Sequence, residues 1–92
     1  MKKFNYEQNR KNISEIATIV CALECYAKTY EESTELWNRL AGERTDNDES
    51  RRRCKRLARS SAENAAKVQA VHAKYQAKLN RLHAAEREYF GR

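Results

Sequence analysis

The sequence predicts an all-α protein, an antiparallel helical hairpin of two long helices, on three observations. The chain has no proline and only two glycines, Gly42 and Gly91, so helix breakers are missing except at one internal point and at the C-terminal end. Apolar residues recur at alternating steps of three and four, the spacing of a helix that packs lengthwise on another. Finally, 92 residues with 40% hydrophobic and 35% charged side chains supply stripes along helices rather than a thick globular centre. A single thin domain of this kind calls for completion as a homodimeric four-helix bundle or by a partner protein.

Residues 1–12 are polar and basic, with Phe4 and Tyr6 as apolar anchors, and read as a lead-in. The first helix is predicted over about 13–41. Its seam is Ile13, Ile16, Val20, Leu23, Ala27, Tyr30, Thr34, Trp37 and Ala41, widened on one side by Ile19, Tyr26 and Leu40. That stripe is broader than a two-stranded coiled coil needs and suits a bundle helix with more than one neighbour. A turn over 42–45 follows. Gly42 accepts the left-handed conformation that commonly closes a helix. Thr45 or Asp46 then caps the next helix, and the acids Asp48 and Glu49 suit its positive end.

The second helix is predicted over about 46–90, which at 1.5 Å per residue spans roughly 67 Å, with Ser60 and Ser61 the place for any bend. Its heptad seam reads Cys54, Ser61, Val68, Tyr75, Leu82 and Tyr89, with Leu57, Asn64, Val71, Lys78 and Ala85 at the second position. Half of these are small or polar, and alanines such as Ala58, Ala62, Ala65 and Ala66 predict a close helix approach as well as high helix propensity. Folding back at 42–45 sets residues whose numbers sum to about 87 opposite one another, because both helices rise equally per residue. Cys54 is then expected near Ser33, Cys21 and Cys25 near residues 62–66, and Phe4 and Tyr6 beside Leu82, Ala85 and Tyr89 as an aromatic clasp.

The net charge of +6 is unevenly divided. Residues 1–12 carry +3, 13–42 carry −3, 43–50 carry −3 and 51–92 carry +9. The densest basic run is Arg51, Arg52, Arg53, Lys55, Arg56 and Arg59, in which Arg52, Lys55, Arg56 and Arg59 share an outward helical face. Six bases within nine residues repel one another with too few acids nearby to neutralise them, the pattern of a patch for nucleic acid or an acidic partner. Arginine forks on such a ridge contact phosphates and release counterions. A secondary basic line, Lys67, Lys74, Lys78 and Arg81, flanks the seam, where pairing with Glu24, Glu31 and Glu35 of the first helix is the plainer expectation.

Catalytic and cofactor chemistry is not expected. His72 and His83 are three helical turns apart, roughly 16 Å, too far to share a metal ion. Cys21 and Cys25 are one turn apart with no further ligand in view and read as core cysteines, as does Cys54 beside Arg53 and Lys55. Two separated glycines cannot build a phosphate loop, and no nucleophile motif is present. Three cysteines without a disulfide-compatible spacing fit a reducing, cytoplasmic setting. The run 16–23 begins too late and ends too soon at Glu24 for a leader, and no stretch approaches the length of a membrane span.

The expected function is therefore that of a non-enzymatic binding protein, a small regulator or inhibitor of the type phages and plasmids encode. Its basic helix would engage nucleic acid or a nucleic-acid-handling protein complex, with no small-molecule substrate, membrane or cofactor. The alternative is a structural or adaptor coiled-coil dimer whose basic face is only a solvated surface.

Overall fold

The computed structural model describes residues 3–43 and 47–91. It contains two α-helices, α1 (Tyr6–Glu43) and α2 (Asp48–Phe90), lying side by side in a hairpin 68 Å long and 18 × 17 Å across. No helix among the described residues is long and apolar enough to cross a membrane.

The lead-in expected over 1–12 is helical from Tyr6 onward. The reason is a cap at Asn5, whose side-chain oxygen accepts a hydrogen bond from the Gln8 backbone N–H at 3.0 Å while its carbonyl accepts from Asn9 at 2.9 Å. This satisfies donors that a helix start leaves open. One turn later Asn9 is buried at 8% exposure and its amide donates to the Leu82 carbonyl of α2 at 3.2 Å. The first turns of α1 are thus docked onto the second helix.

At the other end α1 continues through Gly42 and Glu43. Gly42 does not take the left-handed conformation expected of it, since no described glycine has positive φ. Thr45 and Asp46, the expected caps, lie outside the described residues. The cap of α2 is Asn47, extended at φ −133° and ψ 100°, whose side-chain oxygen accepts from the Ser50 N–H at 3.1 Å. From there α2 runs unbroken through Ser60 and Ser61. Threonines inside α1 do not interrupt it, because Thr18, Thr29 and Thr34 each donate their hydroxyl to the carbonyl four residues back.

The seam expected on α1 is observed. Ile13, Ile16, Val20 and Ala41 are buried, and Leu23, Ala27, Tyr30, Thr34 and Trp37 are half-buried. On α2 the two expected lines hold only in part: Tyr89 of the first is exposed, and of the second only Asn64 and Ala85 are half-buried. Cys54 is buried, with Ser61, Val68, Tyr75 and Leu82 half-buried behind it, but the second line is Ala58, Ala65, His72, Leu79 and Glu86. Leu57, Val71 and Lys78 are exposed instead. Bulk pointed to Leu57 and Val71; the small Ala58 and Ala65 are where the helix axes can approach closely.

The register also differs from expectation. Cross-helix partners such as Asn9 and Leu82, Arg10 and Glu86, Glu24 and His72, and Glu31 and Gln69 have numbers summing to between 91 and 100. The turn falls about two residues later than expected, which raises each sum by about four. At the open end Phe4 stacks on Tyr89 with ring centroids 4.6 Å apart, and Tyr6 meets Phe90 edge-on at 5.4 Å. An aromatic clasp does close the hairpin, with Phe90 joining Tyr89 against Phe4 and Tyr6.

Cys21 and Cys25 are exposed, not core cysteines. Helical phase overrides the usual tendency of cysteine to be buried: the seam passes through Val20 and Leu23, and at 100° per residue both thiols fall on the outer side.

Candidate nucleic-acid interface

The basic run occupies the first turns of α2. Cys54 and Ala58, at 5% and 4% exposure, turn inward and fix the orientation of everything between them. Arg52, Arg53, Lys55, Arg56 and Arg59 are exposed as a result. Arg51 is set apart: it is half-buried, and its guanidinium donates to Asp48 at 2.9 Å. Among the described residues, the other five have no hydrogen-bond or ion-pair partner for their side chains.

Position on the helix separates these five. Lys55 stands two heptads before Gln69, which bonds Glu31 across the seam, so it lies on the same side of the hairpin as that bond. Arg52, Arg56 and Arg59 continue from Lys55 around the outer surface, as expected from the sequence. Arg53 falls on the opposite flank, beside exposed Leu57.

Nothing in the energetics of the fold calls for this arrangement. Arg52 stands three and four residues from Lys55 and Arg56, and Arg56 is within the same reach of Arg53 and Arg59. Like charges so spaced each cost a helix about 0.2–0.5 kcal/mol. The run also sits near the positive end of the helix dipole, where Asp48 and Glu49 are the favourable residues. Exposed and unpaired among the described residues, these cations make the surface strongly positive at a cost to the helix that carries them.

The secondary basic line is equally exposed, and it does not form the expected bridges to α1. Lys67, Lys74, Lys78 and Arg81 have no ion-pair partner among the described residues. Lys74, Lys78 and Arg81 share a shallow groove with Val71 and Tyr75. The acids of α1 turn elsewhere. Glu24 meets the His72 ring at 3.1 Å and Glu31 accepts from Gln69 at 2.7 Å, while Arg10 pairs with Glu86 at 3.4 Å.

These three ties were not anticipated, although an acid-rich first helix facing a second helix with polar seam positions does foreshadow them. They share one side of the hairpin, which makes that side polar. Among the described residues no three metal-ligating side chains gather at one point.

No protein-family model, curated protein or solved structure matches this chain.

Proposed function

We propose that the protein is a non-enzymatic helical binder of the regulator or inhibitor type, and that it engages nucleic acid through Arg52, Arg53, Lys55, Arg56 and Arg59 on α2. One observation carries the reading: five cations within eight residues stand exposed and unpaired among the described residues, on a rigid helix. Cations carried on one helix meet a phosphate backbone with only their side chains left to order on binding, and affinity comes from released counterions. The reading includes completion of the thin hairpin by further apolar cover, as in a homodimeric four-helix bundle.

The test is a titration of the protein into labelled duplex DNA, duplex RNA and single strands at several salt concentrations. Binding should weaken linearly in a log–log plot against salt, with a slope of roughly −4 on duplex DNA for four to five neutralised phosphates. Changing Arg52, Arg56 and Arg59 together to glutamate should abolish it with helicity unchanged. If binding is absent even at low salt, the reading fails and the patch belongs to an acidic protein surface or to solvent alone.

A further inference from the structure

The side of α2 turned away from α1 repeats by heptads. Ala58, Ala65 and Leu79 are buried at whole heptads, so residues seven apart keep one aspect toward α1. Arg53, Ser60, Lys67, Lys74 and Arg81 are such a set. Each stands five residues before a seam position, nearly half a turn around the helix, and each is exposed. Lys67, Lys74 and Arg81 therefore continue the line of Arg53, and the arginine run and the secondary line are one surface. Lys78 is not part of it, since it shares a groove with Glu15 and Ile16 of α1.

The surroundings leave this line open. The adjacent outer line is Arg56, Glu63, Ala70, Ala77 and Ala84, all exposed, so past Glu63 that flank carries only methyl groups. From Arg52 to Arg81 the sequence holds nine bases and one acid, Glu63. The hairpin is 18 × 17 Å across over a length of 68 Å, which leaves the line nearly straight. From Arg53 to Arg81 it runs about 42 Å, with Lys67, Lys74 and Arg81 about 10.5 Å apart.

We infer that the nucleic acid is a duplex laid lengthwise along this line, with Lys67, Lys74 and Arg81 holding phosphates beyond the arginine run. The inference rests on reading that run as a nucleic-acid surface and names the kind of nucleic acid it takes. Shape is the first argument. A duplex far shorter than its persistence length of about 150 base pairs is a straight rod. It carries a phosphate about every 1.7 Å of its axis, so each cation of a straight line meets one, over roughly 12 base pairs. The second argument is what the surface lacks. Proteins that hold single strands stack bases on aromatic side chains. Tyr75 is the one Phe, Tyr or Trp from Arg52 to Arg81, and it is half-buried against the Ile13, Ile16, Val20 and Leu79 cluster.

Titration of the full chain into duplex DNA and duplex RNA of about 14 base pairs, and into a single strand of the same length, tests this over a range of salt. The arginine run by itself supplies a log–log slope of about −4, and three further phosphates should steepen it to about −7 on a duplex. Lys67→Gln with Lys74→Gln and Arg81→Gln should return the slope to about −4 and weaken duplex binding about 100-fold near 0.1 M salt. Helicity should not change, because all three side chains are exposed. The single strand should bind about tenfold more weakly than a duplex. Binding of either duplex in this way supports the inference, and the two arms tell DNA from RNA. A triple variant that binds like wild type, or a single strand held as tightly as both duplexes, overturns it, while loss of binding in the Arg52, Arg56 and Arg59 variant still upholds the run. Absence of all binding at low salt overturns the reading of the run itself, and the inference with it.

Discussion

The two halves of the hairpin bury their seams by different means. At the open end Ile13, Ile16, Val20 and Leu79 form a cluster, with Ala17, Tyr75 and Leu82 packed against it. Toward the turn the buried residues are Ala41, Cys54, Ala58 and Ala65, while Tyr30, Trp37 and Leu40 remain half-buried around them. Fractional burial is similar, yet a buried leucine or isoleucine contributes about 1.5–3 kcal/mol and a methyl group only about 0.8. The half held by a covalent turn therefore has the thinner core, and the half containing both chain ends has the thicker one. The arginine run, which weakens its own helix, sits on the thinner half, so the proposed binding surface lies away from the thicker core.

The largest expected effect breaks the comparison directly. Ile16→Ala or Leu79→Ala should destabilise the protein by about 2–4 kcal/mol, whereas Cys54→Ala should cost about 1 kcal/mol or less. Urea unfolding followed by circular dichroism measures both. Equal losses would show that the two cores carry equal weight.

A smaller effect sharpens the boundary of the stronger half. Asn9→Ala removes the hydrogen bond to the Leu82 carbonyl and should cost about 1 kcal/mol, since the abandoned carbonyl retains its place in the helix. Asn5→Ala removes the cap and should cost a similar ~1 kcal/mol. If neither changes the urea midpoint, the first turns of α1 contribute nothing to folding.

Those first turns also show where sequence reasoning ends. The helix pair and the seam of α1 were legible because proline is absent and because large apolar residues mark period and phase without ambiguity. Asn5 was legible in principle: an Asn followed three residues later by Gln is close to a capping box, but the polar run around it masked the signal. On α2 the phase was misread because Leu57 and Val71 outweigh Ala58 and Ala65 in apolar bulk, while close approach selects the smaller side chains. Cys21 and Cys25 were misplaced by the same reliance on residue type over angle. Of the candidate site, the outward placement of Arg52, Lys55, Arg56 and Arg59 followed from their spacing relative to Cys54. The capture of Arg51 by Asp48 is a pair three residues apart within α2 that spacing alone could have found, whereas the idle secondary line depends on which acid reaches which base across the hairpin, and that is fixed only once register is known.

The smallest perturbation changes no contact and reads the two halves separately. Cys21 and Cys25 are exposed on α1 and Cys54 is buried near the turn, so a thiol reagent should label two cysteines at the rate of a free peptide and one slowly. The slow rate reports how often the region around Cys54 opens. If the turn half opens locally, Leu79→Ala should leave the slow rate unchanged while lowering global stability, because the opening does not pass through the Ile13, Ile16, Val20 and Leu79 cluster. If Cys54 is reached only by global unfolding, the same substitution should accelerate its labelling by the full factor of its destabilisation, roughly 30- to 1,000-fold for 2–4 kcal/mol. Rates measured on wild type and Leu79→Ala distinguish these outcomes. The local outcome would mean that the first turns of α2, which carry the arginine run, open independently of the core that holds the chain together.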